Sequence, residues 1–265
     1  MGVLEEFRLD CKSSLVTGGA SGIGRAFAEA MAEAGADVVV AGIYAEGAEE
    51  VADEIADDTG RETLAVEADV TDEDNVETMV SETVDAFGGL DIAFANAGIA
   101  ELERGAETYE TRQWNRIVDV NLTGVWLTDM YAARAMFDDG GGSIINTASV
   151  YGLRGSEALG YIPAYTASKG GVVNLTRTLG AEWAEEGVRV NAVAPSHVRT
   201  GIGGGALKDD MSGVEDVHET IEDRTPMGGF AEPDEHKGIA VFLASEASRY
   251  CTGYTYAIDG GWLTL

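Results

Sequence analysis

Cysteine, histidine and basic residues are scarce in this chain of 265 residues. The two cysteines, Cys11 and Cys251, lie far apart, and the three histidines form no pair at metal-ligand spacing. The sequence therefore predicts two free thiols and no metal site. No apolar run is long enough to cross a bilayer, and the first ten residues lack the basic and apolar regions of a secretory signal. We expect a cytoplasmic protein.

Positive charge is the second shortage. Lysine and arginine total 17 against 47 aspartates and glutamates, which gives a net charge of −30 spread along the whole chain. Such a charge repels itself at ordinary salt, but in molar salt the Debye length falls to about 3 Å and the repulsion is screened. This composition resembles that of proteins from salt-accumulating halophiles, so we expect a high-salt cytoplasm. It argues against nucleic acid and anionic membranes as partners.

Short apolar runs alternate with stretches at helical spacing along the chain. The runs predict seven strands, at residues 14–17, 37–41, 63–67, 92–95, 142–148, 188–194 and 255–258. Apolar strands without a polar face indicate a parallel sheet covered by helices on both sides. The sequence therefore predicts a single α/β domain over residues 1–265, a doubly wound Rossmann fold with a seven-stranded parallel sheet.

The intervening stretches predict helices, among them one long helix over 111–136 and others over 165–185 and 234–244. Thr71 is predicted to be the N-cap of the helix that ends at Phe87. The stretch from Pro195 to Phe230 shows little periodicity. A connection this long inside a compact domain is usually a lid or binding loop, so residues 196–230 are interpreted as a substrate lid.

A glycine-rich turn follows the first predicted strand. It reads Thr-Gly-Gly-Ala-Ser-Gly-Ile-Gly over Thr17–Gly24, and a helix begins within it. Glycines let the backbone approach a pyrophosphate closely, and the free N–H groups of a helix N-terminus point towards the anion. A glycine-rich turn alone is weak evidence, but here it lies between a strand and a helix. This context favours a dinucleotide site.

Further motifs follow the other strands and complete a recognisable set. These are Asp69-Val70, Asn96-Ala97-Gly98, Asn121 in DVNLTG, Ser149, the YTASK run Tyr165–Lys169, Thr200 five residues past Pro195, and Asp259-Gly260-Gly261. With this set the chain resembles the short, single-domain branch of the short-chain dehydrogenases/reductases. The resemblance implies a cofactor site made of Gly18, Ser21, Gly22, Ile23, Gly24, Asp69, Val70, Asn96, Ala97, Gly98, Tyr165, Lys169, Pro195, Val198 and Thr200.

Two features depart from the family pattern. Ser196 stands where the family usually has glycine after proline, and the stretch between Ser149 and Tyr165 is slightly longer than usual, which places Ser156–Ile162 near the substrate mouth. His197 lies on the same side and is interpreted as a solvent-facing loop residue, with a substrate contact as the alternative.

Tyr165 and Lys169 are four residues apart on a predicted helix and therefore share a face. A nearby ammonium favours the phenolate, so Lys169 is expected to lower the pKa of Tyr165. The resemblance implies four catalytic residues: Tyr165 as acid–base, Lys169 on the nicotinamide ribose, Ser149 on the substrate oxygen, and Asn121 holding a water that links Lys169 to solvent. Their expected reaction is hydride transfer between a nicotinamide and a small secondary alcohol or ketone.

The end of the second strand distinguishes NAD from NADP, since an acidic residue there binds a ribose 2′-hydroxyl and an arginine accepts a 2′-phosphate. Gly42 and Ile43 occupy these places, and Ser21 is not basic either. Because no cation is in reach, we expect NAD to be preferred over NADP.

The acidic character of the predicted lid bears on the substrate. Seven acidic residues stand against two basic ones from Lys208 to Arg224, which disfavours an anionic acyl carrier protein or CoA. A small alcohol, possibly a sugar or polyol, is therefore favoured over a 3-oxoacyl-thioester. The three-residue gap between Tyr165 and Lys169 argues against enoyl reductases. A non-catalytic cofactor-binding scaffold or sensor remains the alternative of another class. The family expectation for assembly is a homotetramer.

Overall fold

The computed structural model describes residues 2–100, 106–156, 161–202 and 215–265, with side chains from residue 218 onwards in the last segment. Seven strands form one sheet in the order β3-β2-β1-β4-β5-β6-β7, and all neighbours run parallel. The strands are β1 Ser13–Thr17, β2 Asp37–Gly42, β3 Thr63–Glu67, β4 Ile92–Ala95, β5 Gly142–Thr147, β6 Val188–Pro195 and β7 Thr255–Ile258. The predicted seven-stranded parallel Rossmann fold is confirmed.

Helices cover both faces of this sheet. They are α1 Gly22–Ala34, α2 Ala45–Thr59, α3 Glu73–Phe87, α4 Thr111–Val118, α5 Gly124–Asp138, α6 Pro163–Glu182, α7 Glu215–Arg224 and α8 Lys237–Ala244. Successive strand residues point to opposite faces. Val16 of β1 therefore joins the core beneath α1, α2 and α8. Its neighbour Leu15 joins the core beneath α3, α5 and α6.

The single long helix predicted over 111–136 is wrong in one respect. A π-helical turn over Asp119–Thr123 separates α4 from α5. Such turns insert a residue into the helix and recur at functional sites. Asn121 lies in this turn and is fully buried, so the interruption falls at a predicted catalytic residue.

Smaller corrections concern helix ends. The N-cap of α3 is Asp72 instead of Thr71, because the Asp72 carboxylate accepts the backbone N–H groups of Asp74 and Asn75 at 3.0 and 3.2 Å. The Thr71 hydroxyl donates to Asp69 instead, at 2.7 Å.

Three predicted segments also change in type or extent. The helix expected over 165–185 begins at Pro163 and ends at Glu182, followed by a 3-10 turn over Ala184–Glu186. That expected over 234–244 begins with a 3-10 turn. The predicted lid contains α7, where no helix was expected.

A buried polar pair joins α5 to β5. Asn146 Nδ2 donates to Asp129 Oδ2 at 2.9 Å and lies 3.1 Å from the Thr176 hydroxyl of α6. Asp129 and Asn146 are both 0 % exposed. The other carboxyl oxygen, Asp129 Oδ1, and the amide oxygen, Asn146 Oδ1, have no partner among the described residues. Burial raises the pKa of Asp129 to about 8, so this carboxyl is protonated at neutral pH.

Both cysteines are free thiols. The described residues contain no group of three or more His, Cys, Asp or Glu side chains placed to hold a metal ion. No helix in the described ranges is long and apolar enough to cross a membrane.

Candidate active site

A cleft opens at the carboxyl ends of β1 and β4. In a doubly wound sheet this is where the strand order reverses and where ligands bind. Two adjoining cavities of about 560 and 770 Å³ form the cleft. They share five lining residues, which are Gly18, Ala97, Gly98, Ile99 and Arg116. The cleft is therefore continuous and has the size expected of a cofactor site.

The glycine-rich turn forms one wall of the cleft. Gly18 and Gly22 have φ values of +65° and +55°, in the left-handed region that favours glycine. A Cβ on Gly24 would lie 2.2 Å from the Gly18 carbonyl oxygen and 2.4 Å from Asn96 Nδ2. The turn therefore requires glycine at these positions, and without side chains its backbone is accessible from the cleft.

The N-terminus of α1 faces the same space. Its N-cap residue, Ser21, has extended backbone, and its side chain makes no capping hydrogen bond. The first N–H groups of this 13-residue helix are therefore uncapped by a side chain, and the helix dipole adds partial positive charge there. Ser21, Gly22 and Ile23 all line the cleft. The residues present fit a pyrophosphate at this point.

The loop after β4 is tied to β1 and β5 through Asn96. Asn96 Nδ2 donates to the Thr17 carbonyl at 3.0 Å. The Thr147 hydroxyl donates to Asn96 Oδ1 at 3.1 Å. These bonds hold Ala97 and Gly98 at the centre of the cleft, where both cavities meet.

The larger cavity is the adenosine half of the predicted site. Asp69 and Val70 line it, as the resemblance implies, together with Gly42 and Ile43 at the end of β2. The Ile43 side chain is 56 % exposed, and neither position carries a charge. The opposite wall is α4, which contributes two arginines that the sequence reasoning missed.

These arginines are Arg112 and Arg116. Arg116 lines both cavities, and Arg112 lines the adenosine half. Their spacing of four residues places them on one helix face, together with Val120 of the π turn, which lines the same cavity. The four-residue spacing could have indicated from the sequence that the two arginines share a helix face. Only the fold shows that this face borders the cleft.

The predicted acid–base pair lies in the smaller cavity. Tyr165 and Lys169 both line it, and Lys169 Nζ is 5.8 Å from the centroid of the Tyr165 ring. Lys169 is 2 % exposed and donates from Nζ to the Thr147 carbonyl at 2.6 Å. Ser149 lies close enough to the Tyr165 phenol to act on its pKa. A phenol and an amine therefore line the cavity beside the glycine-rich wall, with the Ser149 hydroxyl next to the phenol.

The pKa values of this pair differ from the expectation. Burial raises the pKa of Tyr165, and the hydrogen bond from Ser149 opposes that rise only in part. Burial lowers the pKa of Lys169 to about 8. The expected lowering by Lys169 is not among the causes that act on Tyr165, desolvation is the largest of them, and the phenol is protonated at neutral pH.

The Asn121 side chain is hydrogen-bonded to the backbone of Ile99. Its Oδ1 accepts the Ile99 N–H at 2.8 Å, and its Nδ2 donates to the Ile99 carbonyl at 2.8 Å. A Cβ on Gly98 would be 3.4 Å from Asn121 Oδ1 and 3.6 Å from Lys169 Nζ, so both polar groups lie next to Gly98. The side-chain amide is therefore already occupied.

The segment at the end of β6 borders the end of the cleft where the nicotinamide is predicted to bind. Pro195, Val198 and Thr200 line the smaller cavity, as does Ser196, the residue that departs from the family pattern. Thr200 packs against Gly22, since a Cβ there would lie 3.1 Å from Thr200 Cγ2. The extra residues before Tyr165 are described only at their ends, where the Ser156 hydroxyl accepts the Ile162 N–H at 3.1 Å.

The interpretation of His197 as solvent-facing is wrong. This side chain is 2 % exposed, and its Nε2 lies 2.9 Å from the Tyr151 hydroxyl. Its ring meets Trp262 edge-on, with the centroids 4.5 Å apart. A histidine in a loop has no periodicity that reveals burial, so only the fold could place it.

Comparisons with known proteins agree with this geometry. A protein-family model described as "Enoyl-(Acyl carrier protein) reductase" matches residues 18–263. The chain is 40 % identical over 252 residues, 95 % of its length and 96 % of the relative's, to the cis-4-hydroxycyclohexanecarboxylate dehydrogenase of Sinomonas cyclohexanicum. It is 37 % identical over 262 residues, 98 % of its length and 99 % of the relative's, to the 2-dehydro-3-deoxy-D-gluconate 5-dehydrogenase of Dickeya dadantii strain 3937.

A solved structure matches along the entire chain. It is the gluconate 5-dehydrogenase of Burkholderia cenocepacia J2315 in complex with NADP and tartrate, at a TM-score of 0.91, 34 % identity and 100 % coverage of both chains. Matches of this length and identity establish the family. The chain belongs to the short-chain dehydrogenases/reductases.

Proposed function

We propose that the chain is an NAD(P)-dependent dehydrogenase that oxidises a secondary alcohol of a small cyclic or polyhydroxylated molecule, or reduces the corresponding ketone. The observation that carries this proposal is the position of Tyr165 and Lys169 in one cavity beside an uncapped helix N-terminus, with Ser149 next to the Tyr165 phenol. The named relatives, a dehydrogenase of cis-4-hydroxycyclohexanecarboxylate and a 5-dehydrogenase of 2-dehydro-3-deoxy-D-gluconate, support the substrate class.

The nicotinamide cofactor supplies the hydride acceptor or donor when bound. For its binding, we assign the pyrophosphate to the turn at Gly18–Gly24 and the adenosine to Asp69 and Val70. Ala97, Gly98, Pro195, Val198 and Thr200 would border the nicotinamide half. Lys169 would hold the nicotinamide ribose and stabilise a phenolate at Tyr165 through its charge.

Residues of the protein supply the proton that the substrate oxygen gains when a ketone is reduced. Tyr165 is protonated at neutral pH because burial raises its pKa, which is the state that a proton donor to a ketone needs. Ser149 would donate a hydrogen bond to the substrate oxygen and stabilise the charge that develops there. Because the side-chain amide of Asn121 is occupied by Ile99, the water linking Lys169 to solvent would be held by the Asn121 backbone carbonyl.

The test is Tyr165→Phe, which removes one oxygen and retains the ring. We expect turnover to fall by about 10²–10⁴, because the variant lacks the proposed proton donor, while the affinity for NADH stays unchanged. Wild type and variant would be assayed on cyclohexanol, 4-hydroxycyclohexanecarboxylate and a sugar acid. Retained turnover in the variant would refute the role of Tyr165. Tight cofactor binding by the wild type without turnover of any alcohol or 3-oxoacyl-thioester would instead favour the non-catalytic scaffold.

For the cofactor we propose a preference for NAD, because the end of β2 offers a 2′-phosphate no cation. Fluorescence titration of the wild type in molar KCl with NADH and with NADPH measures it. Tighter binding of NADH is expected. Tighter binding of NADPH would contradict it and assign the 2′-phosphate to Arg112 and Arg116 on the opposite wall.

Assembly, lid and environment complete the proposal. Trp114 of α4 and Trp126 of α5 are 39 % and 44 % exposed, and large exposed aromatics support burial of these helices in a homotetramer. Light scattering after gel filtration measures the mass of the assembly, which should be four times that of one chain. Residues 196–230 would form a substrate lid, of which 203–214 lie outside the described ranges. The net charge of −30 supports a salt-rich cytoplasm as the place of function.

A further inference from the structure

The end of β2 offers an adenosine apolar contact only. A charged residue at this place would bind the ribose 2′-hydroxyl or a 2′-phosphate, but Gly42 and Ile43 stand there. Ile43 is 56 % exposed and lines the larger cavity. Its side chain can pack against one face of a flat base, whereas the contact with the other face has to come from another part of the cleft.

The opposite wall of the larger cavity carries an unpaired guanidinium. Arg112 of α4 lines this cavity and is exposed. In the part of the chain that the structure describes, its side chain makes no ion pair and no hydrogen bond. The chain has 47 acidic residues against 17 basic ones, so a guanidinium without a carboxylate partner is unusual here. The Arg112 side chain is therefore available to a ligand.

The position of Arg112 within α4 gives the fold no advantage. The helix comprises Thr111–Val118, so Arg112 lies in its first turn. The helix dipole places partial positive charge at that end, and a cation there is unfavourable for the helix. Because the fold gains nothing from this charge, replacing Arg112 by a neutral residue should leave the protein folded.

A guanidinium on this wall suits the face of an adenine ring. The guanidinium is planar, and nucleobases stack on arginine guanidinium planes. Arg112 lines the cavity from α4, and Ile43 lines it from the end of β2. Asp69 and Val70, which are expected at the adenine, line the same cavity. The four residues thus surround a space in which a base has an apolar side chain on one wall and a planar cation on the other.

We propose that Arg112 is an adenine-binding residue, whose guanidinium stacks on the base of the dinucleotide while Ile43 packs against the other face. This inference rests on the proposed function, since it assumes a nicotinamide dinucleotide. The contact is with the base, so it adds affinity for NADH and NADPH alike. It selects an adenine dinucleotide over a mononucleotide, and it lets the cleft hold the adenosine without a charged residue at the end of β2.

The test is fluorescence titration of the wild type and of Arg112→Gln with three reduced nicotinamides, in molar KCl to screen long-range charge effects. NADH and NADPH carry the adenine, and reduced nicotinamide mononucleotide lacks it. We expect Arg112→Gln to weaken the binding of NADH and NADPH equally, by about 3- to 30-fold, the range of a cation–π contact. The affinity for the mononucleotide should stay unchanged.

Two further variants serve as controls. Arg112→Lys keeps the positive charge but lacks the planar group, so it should not restore the binding of NADH. Arg177→Gln removes an exposed charge of α6 that lines neither cavity and is bonded to Asn174, so it should bind all three nicotinamides as the wild type does. Circular dichroism checks that each variant is folded.

Any other result overturns the assignment. An unchanged affinity of Arg112→Gln for NADH would refute it. A loss for NADPH alone would make Arg112 a ligand of the 2′-phosphate, and an equal loss for the mononucleotide would make it a structural residue of the cleft. Full recovery in Arg112→Lys would show that only the charge matters. If the wild type binds none of the three nicotinamides, the proposed function itself fails, and this inference fails with it.

Discussion

Asp129 provides a sharp test of how burial sets stability in this protein. It lies fully buried against Asn146, and burial raises its pKa from 3.8 to about 8. Asn146 Nδ2 donates to one carboxyl oxygen, while the other carboxyl oxygen and the amide oxygen of Asn146 are unpartnered in the described structure. A proton on Asp129 Oδ1 would let it donate to Asn146 Oδ1 and satisfy both atoms at once. The pair would then be a neutral acid–amide ring.

The pH dependence follows from the direction of the shift. Between pH 4 and pH 8 the folded chain keeps the Asp129 proton while the unfolded chain has lost it. The folded state therefore binds more protons, and the free energy of unfolding falls as the pH rises through this window, by about 1.4 kcal/mol per pH unit. Above pH 8 both states are ionised and this contribution levels off. From pH 6 to pH 9 the wild type should lose about 3 kcal/mol through this group.

Asp129→Asn isolates the effect. An amide can make both hydrogen bonds to Asn146 without a titratable proton, so the variant should lose none of this stability between pH 6 and pH 9. Urea unfolding of both proteins at each pH, in molar KCl and at equal protein concentration, gives the double difference. Other titrating groups, such as Lys169 with its pKa of about 8, are common to both proteins and cancel. An equal loss in wild type and variant would refute the neutral pair.

Three further expectations follow from the cleft and the charge. Ile43 is exposed and lines the adenosine half of the predicted site. Ile43→Arg should therefore raise the affinity for NADPH about tenfold and leave the affinity for NADH little changed. A fluorescence titration that shows no gain for NADPH would contradict the placement of the 2′-phosphate at the end of β2. Gly24→Ala puts a methyl group 2.2 Å from the Gly18 carbonyl oxygen, so the turn must distort and NADH binding should be lost. Unchanged NADH binding would show that the glycine-rich turn does not hold the pyrophosphate. Because the net charge is −30, the midpoint of thermal unfolding should rise when KCl is raised from about 0.1 M to about 2 M. If the midpoint measured by circular dichroism does not change with KCl, charge repulsion does not limit the stability of the fold.

Local features of the sequence were enough to predict the sheet and the glycine-rich turn. Strand residues such as Val38–Val40 are buried on both faces, and a β-branched run of this kind has few alternatives to a central parallel strand. The turn at Thr17–Gly24 was predictable because its glycines and the following helix are local features. Tyr165 and Lys169 share a helix face by their spacing alone. In each case the physical signal lies within a few residues of the chain.

The tertiary structure decided whatever depends on residues distant in the chain. His197 is buried because Tyr151 and Trp262 close over it, and nothing in its own segment indicates this. The π turn at Asn121 cannot be predicted from helical spacing, since the apolar period continues through it. The pKa of Tyr165 is raised because desolvation in the folded cleft outweighs the opposing effect of Ser149, and desolvation is a property of the whole environment. The meeting of Arg154 with Arg224, seventy residues apart, exists only because the fold brings the β5–α6 turn and the end of α7 to one indole ring.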